Sequence, residues 1–136
     1  MTDTLTQQYV ALWNEPDADR RRRMIAELWV ADGTHILQPP QEIRAIAAQP
    51  GIAMTAILKA QGYEEIEARA RSAYEHWVAS EGLSFRGRDD ADRLADVVKL
   101  HWEAVAKDGT VAAVGLSFLV LAADDRIERD YTFIVD

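Results

Sequence analysis

Apolar residues recur along this chain with two different periods, and the switch between them divides it. In the first part Leu5, Tyr9, Leu12 and Trp13 stand at helical spacing, preceded by Thr4 and Gln7 in the form of a capping box. Pro16 breaks that helix, and Asp17 is placed to cap a second one whose buried face carries Met24, Ile25 and Leu28. Asp32 and Gly33 end it. Residues 34–38 are then extended, because Pro39 and Pro40 exclude helix from the residue before them and offer no donor. Ile43, Ile46 and Ala47 predict a helical turn or two, interrupted at Pro50–Gly51 and resumed over 52–60. Tyr63, Ile66, Ala70, Tyr74, Trp77 and Val78 mark a long amphipathic helix. Glu65 with Arg69 and Glu67 with Arg71 are spaced as i,i+4 pairs along it, and Gly82 lies just past its end.

From Leu83 the period shortens to that of strands. The pattern predicts strands over 83–88, 94–106, 111–123 and 126–135, joined by turns at 88–92, at Asp108–Gly109 and at Asp124–Asp125. The Asp-Gly pair has the form of a two-residue hairpin turn, which needs positive φ at both positions. The strand from Val111 to Ala123 is apolar on both faces and is expected to be central. Helices followed by an antiparallel meander predict a single α+β domain spanning the chain: a curved antiparallel sheet wrapped around the long helix, with two N-terminal helices and an open end suited to a pocket. The helices of one chain can cover only one face of the sheet, so a homodimer is expected.

Composition narrows the chemistry. The 136 residues hold no cysteine, which removes disulfides, thiolate metal sites and cysteine nucleophiles, and fits a cytoplasmic location. A net charge of −8 argues against a nucleic-acid partner. The run Arg20–Arg23 points nearly all round a helix and predicts a solvated surface with one arginine stem along the core edge. Neither a membrane-spanning run nor a secretory leader is recognisable. His35, His76 and His101 lack metal-ligand spacing, and HExxH, GxSxG and glycine-rich phosphate loops are absent, so neither a metal nor a cofactor is expected.

The element order, with "QQYVALWN" (7–14), "ELWVADGTHILQP" (27–39), "VKLHWEAV" (98–105) and "ADDRIERDYTFIVD" (123–136), resembles the nuclear transport factor 2-like superfamily, which includes ketosteroid isomerase and SnoaL-type cyclases. The resemblance implies a cone-shaped, cystatin-like α+β roll, often dimeric, with a pocket for a small apolar molecule. Residues 40–62 match it least well; longer than in the isomerase, they are expected to form a lid or an extra helix over that pocket. Carried over from the isomerase, its oxyanion-hole tyrosine falls on Tyr9, its aspartate base on Gln38 and its second oxyanion donor on Ser117. One of the three groups is retained; an amide cannot remove a proton at neutral pH.

The remaining candidate acid–base groups are Asp130 and His35. The resemblance sets Asp130 near the pocket. Strand alternation sets it with Glu128 and Thr132, opposite Ile127, Tyr131, Phe133 and Val135 and therefore outward. Alternation also puts His35 and Gln38 on opposite faces of their strand, and Gln38 is expected inside. Trp13 and Trp102 are expected to contact a ligand or fill core, while Lys99, His101 and Glu103 face outward. Two functions are compatible with this set. One is a cofactor-free isomerase, cyclase or dehydratase acting on a small apolar carbonyl or hydroxylated ring compound. The other is a non-catalytic dimeric ligand-binding or protein-interaction module.

Overall fold

A computed structural model describes residues 2–39 and 58–135, together with Ala45 and Pro50. The lid or extra helix expected over 40–62 falls mostly outside them. Helix α1 (Thr2–Asn14) and helix α2 (Ala18–Leu28) lead into strand β1 (Trp29–Leu37). After the undescribed segment come β2 (Leu58–Gln61), α3 (Gly62–Ala73) with a π-helical continuation (Tyr74–Ser80), β3 (Ser84–Gly87), β4 (Asp92–Leu94), β5 (Val97–Val105), β6 (Val111–Leu121) and β7 (Ile127–Val135). The seven strands form one curved sheet in the order β2-β1-β7-β6-β5-β3, with β4 paired to β5. Among the described residues no helix is long and apolar enough to cross a membrane.

Several local expectations hold and others give way. Asp17 caps α2, its carboxylate accepting from Arg20 N at 2.8 Å. Strand β6 lies inside the sheet between β5 and β7, as its two apolar faces require. The sheet, however, is mixed: β1 runs parallel to β7, a pairing between distant segments that local periodicity does not encode. Helix α1 begins at Thr2, so Thr4 lies within it and the capping-box reading fails. The strand expected over 94–106 is broken at Ala95, whose φ is +53°, into β4 and β5. At the β5–β6 hairpin only Gly109 takes a positive φ, +90°, and Gly109 N donates to Ala106 O at 2.9 Å. A register shift follows at Val105, so the turn is a longer loop with a glycine bulge rather than the two-residue form.

The core lies between the concave face of the sheet and the helices. Tyr9 and Leu12 of α1, Ile25 and Leu28 of α2 and Ile66 and Ala70 of α3 meet Trp29, Val98, Leu100, Leu119, Leu121 and Ile127. One member of the arginine run turns toward the core, as expected, and its charged head is buried as well. Arg21 is buried, its Nε 3.1 Å from Glu67 Oε2 and its Nη1 donating to the carbonyls of Glu15 and Pro16 at 2.9 and 3.0 Å. This pair ties α2 to α3, and Arg71 holds the second oxygen of Glu67 at 3.0 Å. Both charges therefore find partners inside, the condition under which burying them is tolerable.

Across the β5–β6 pair, Trp102 lies over Gly115. A Cβ built on Gly115 would sit 2.0 Å from the indole ring. Gly115→Ala should therefore displace Trp102 and cost about 1–3 kcal/mol through overpacking. Urea unfolding with an unchanged m-value, together with red-shifted tryptophan emission, is the expected result.

Candidate active site

Seven candidate residues converge or diverge according to strand register. Tyr9 projects from the buried face of α1 toward the sheet. Its hydroxyl donates to Asp130 Oδ2 at 2.6 Å and lies 3.1 Å from Ser117 Oγ and 3.3 Å from Thr132 Oγ1. Ser117 and Thr132 are cross-strand partners on β6 and β7, with their hydroxyls 2.8 Å apart. Thr132 donates to Asp130 Oδ1 at 2.7 Å, and Trp102 Nε1 donates to Ser117 Oγ at 3.1 Å. One consistent proton assignment runs from the indole through Ser117 and Thr132 to one carboxylate oxygen, and from Tyr9 to the other. Every donor in the network thus ends on Asp130.

Asp130 faces inward because of a bulge. Val120 pairs with Arg129 and Leu121 with Ile127, leaving Glu128 as an extra residue on β7. The bulge shifts the alternation by one position, so Ile127 and Asp130 both point to the core while Arg129 points out. The outward placement from strict alternation is thereby corrected, and Thr132 is brought into the site with Asp130.

Strand β1 corrects a second expectation. His35, not Gln38, shares the interior. The imidazole is buried, 5.1 Å between centroids from Trp13, with Nε2 3.6 Å from Asp130 Oδ2. Gln38 completes the ladder to β7 at the strand end: its N–H donates to Thr132 O and its Oε1 accepts from Ile134 N, each at 2.9 Å. Its acceptor is therefore committed to backbone. Trp13 and Trp102 are half-buried, each reaching from the network toward the surface, and Trp13 packs edge-on against Tyr9 at 6.0 Å. Outside the sheet, His101 pairs with Asp90, and Glu103 binds Arg86 and Arg88.

Arg69 was legible only as the partner of Glu65. Glu65 instead accepts from Gln61 N at 2.8 Å, and Arg69 turns to β1 and β2, where Nη1 meets His35 Nδ1, His35 O and Leu58 O at 3.1, 3.0 and 3.1 Å. The spacing of Ile66, Ala70 and Arg69 on the helix carried no sign of that reach, which depends on where β1 lies.

The electrostatics follow from burial. Asp130 has no exposed surface, and desolvation pushes its carboxyl up to about 7, against the lowering effect of the Tyr9 and Thr132 hydroxyls and the Arg69 charge. Burial, and then the Arg69 charge, push His35 down to about 3. Tyr9 is raised well above its ordinary range by burial and the adjacent carboxylate. The network thus holds one group that titrates near neutrality beside a neutral imidazole and a neutral phenol. Among the described residues no group of three or more His, Cys, Asp or Glu could hold a metal. A cavity of about 310 Å³ opens elsewhere, between α1 and the Gly87–Ala91 turn; Val10, Leu100 and His101 help line it, and Tyr9, His35, Ser117 and Asp130 do not.

No family model matches the chain, and no curated protein matches it. Solved structures do. A putative isomerase of the SnoaL-like family from Agrobacterium tumefaciens is 21% identical, with 99% of this chain and 97% of that one covered and a TM-score of 0.77. A protein with a ketosteroid isomerase-like fold from Catenulispora acidiphila, in complex with trimethylamine, is 17% identical over 97% and 85% of the two chains, with a TM-score of 0.64. An NTF2-like protein of unknown function from Exiguobacterium is 15% identical over 97% and 98%, with a TM-score of 0.61. The chain therefore has the α+β cone fold of NTF2-like, SnoaL-like and ketosteroid isomerase-like proteins.

The two shifted groups pull stability in opposite directions. Asp130, raised in the folded chain, stabilises it below the ordinary carboxylate range and loses that contribution as pH rises to about 7, a swing of roughly 4 kcal/mol. His35, lowered, contributes stability that is present above its ordinary 6.5 and lost as pH falls toward about 3. Between these limits the slopes offset each other. Urea unfolding across pH about 4 to 8 should show Asp130→Asn gaining on the wild type as pH rises, and His35→Gln gaining as pH falls.

Proposed function

We propose that the chain is a cofactor-free acid–base catalyst of the isomerase, cyclase or dehydratase kind, acting on a small, mainly apolar carbonyl or hydroxylated ring compound. Asp130 is the base. As a carboxylate it takes a proton from carbon beside a carbonyl, and as the resulting acid it returns the proton to another position. Tyr9 moves its hydrogen bond from Asp130 to the substrate oxygen as charge develops there. His35 stands beside both, Ser117 orients Tyr9, and Trp13 and Trp102 form the apolar walls.

The observation that carries the reading is the wholly buried Asp130, brought near neutral pH and held at 2.6 Å by a phenol. A buried carboxylate without a cation in contact costs stability, and titration near working pH is what acid–base chemistry requires. Asp130 and Ser117 have no exposed surface, so a substrate reaches them after a rearrangement of what covers them, and among the described residues the half-buried Trp13 and Trp102 are placed for it. That same closure favours a second reading, a non-catalytic module in which the network merely specifies the core.

The assembly belongs to the proposal. On the outer face of the sheet Leu116, Phe118, Tyr131 and Phe133 form an apolar surface, with Phe118 and Phe133 packed edge to face at 5.9 Å and Phe133 45% exposed. A second copy of the chain covers it, and the absence of cysteine fits a cytoplasmic setting.

Exchange of α-hydrogens for deuterium in enolisable ring ketones reads the chemistry without knowledge of the natural substrate. The wild type should catalyse it, Asp130→Asn should lose about 100-fold or more, and Tyr9→Phe about 100-fold, with both variants folded. Equal rates in all three would leave only the non-catalytic reading. Sedimentation should show a dimer that Phe133→Glu converts to a folded monomer; a wild-type monomer at micromolar concentration would remove the dimer.

A further inference from the structure

Histidine 35 was the second candidate for moving a proton, and its surroundings assign it a different task. The ring is enclosed by Trp13 at 5.1 Å and Trp29 at 6.4 Å between centroids, so its two nitrogens are its polar contacts. Nδ1 faces Arg69 Nη1 at 3.1 Å, and Nε2 faces Asp130 Oδ2 at 3.6 Å. A guanidinium has five N–H donors and no acceptor, and it stays protonated. A hydrogen on Nδ1 would therefore point at another donor and a positive charge. The lone pair must be on Nδ1, and the single ring proton on Nε2.

We propose that Arg69 is a positioning residue that locks His35 as the neutral tautomer with its proton on Nε2, making the imidazole a hydrogen-bond donor to the site and not its base. The groups facing His35 are consistent with this from each element packed against it. Helix α1 offers Trp13 and, beyond it, Tyr9; β1 offers Trp29; β7 offers Asp130; α3 offers Arg69, whose charge Glu65 moderates. Among the described residues the cation in contact with the ring adjoins Nδ1, and the nearest carboxylate adjoins Nε2. Burial and the Arg69 charge both disfavour the imidazolium, so the ring stays neutral throughout the range in which Asp130 titrates.

The consequence concerns the ligand. Tyr9 Oη at 2.6 Å and His35 Nε2 at 3.6 Å approach the same oxygen, Asp130 Oδ2. Two neutral donors on one point will accept one oxygen atom in place of the carboxylate oxygen: the carbonyl or enolate oxygen of a substrate. A substrate amine or other cation would meet the Nε2–H of His35, which has no acceptor to offer it. This second step rests on the acid–base reading above; the tautomer of His35 does not.

Long-range ¹H–¹⁵N correlation spectra of the whole chain, labelled at histidine, read the tautomer directly. His35 should show a protonated Nε2 and a bare Nδ1, unchanged from about pH 5 to pH 8. A protonated Nδ1, or an imidazolium forming near pH 6.5 as in an ordinary histidine, would overturn the proposal. Arg69→Met should release the lock, bringing in the other tautomer and a titration nearer the ordinary range, while Arg69→Lys, which keeps a cationic donor without an acceptor, should retain it. An Arg69→Met spectrum identical to that of the wild type would overturn the lock and leave Arg69 a clamp between strands. Turnover separates the roles of His35. Gln reproduces the donor at Nε2 but cannot take a proton, so His35→Gln should keep deuterium exchange within about tenfold, whereas loss of a true base costs about 100-fold or more. If Asp130→Asn leaves exchange unaffected, the acid–base reading fails while the tautomer result stands.

Discussion

The hydrogen bond from Tyr9 to Asp130 joins the first helix to the last strand, 121 residues apart in sequence. It can form only when α1 lies across the concave face of a finished sheet and β7 has its correct register. The carboxylate it meets is fully desolvated, and in that surrounding each missing partner would cost a large fraction of a domain's stability. The bond is therefore both a product of the fold and a check on it. Around it Ser117, Thr132 and Trp102 use up their donors in one direction, which leaves the network satisfied when Asp130 is ionised and adjustable when it is protonated.

Two irregularities place those groups. The bulge at Glu128 turns Asp130 and Thr132 inward, and the register shift between Trp29 and Thr34 on β1 accompanies the inward turn of His35. Each is a departure of one or a few residues from regular pairing, yet each decides which side chains share the interior. Bulges are common beside functional sites because they re-aim side chains without disturbing the rest of a sheet. The parallel pairing of β1 with β7 then brings His35 opposite Asp130 in the register itself. The buried Arg21–Glu67 pair does comparable work among the helices, holding α2 against α3 so that Arg69 on the same helix reaches β1.

Among the described residues the buried network and the cavity beside α1 lie apart. The titrating carboxylate is enclosed, and the cavity between α1 and the Gly87–Ala91 turn touches none of the groups in its network. Enclosure explains the electrostatics: exposure to water would return Asp130 and His35 toward their ordinary ranges. Trp13 and Trp102, in contact with the network, are half-buried.

The local pattern was enough for the order of the main helices and strands apart from β2 and the break between β4 and β5, for the buried face of α1 with Tyr9 on it, for the Asp17 cap and for the central place of β6, because those depend on neighbours within a few positions. The resemblance singled out Ser117 and Tyr9, and both stand in the buried network. Asp130 was named but given the wrong face by alternation, His35 was set outside and Gln38 inside, and Thr132 and Arg69 were missed. The error at Asp130 is one of strand direction. A strand's side-chain direction has period two, so a single bulge reverses every later assignment, and nothing local announces the bulge at Glu128. The parallel β1–β7 pairing, the strand at Leu58–Gln61 and the turning of Arg69 from Glu65 to His35 likewise depend on contacts between distant segments. The chain's sequence determined what could be buried and in what order; only the assembled sheet decided which polar groups would meet, since that meeting is a matter of register between strands far apart in the chain.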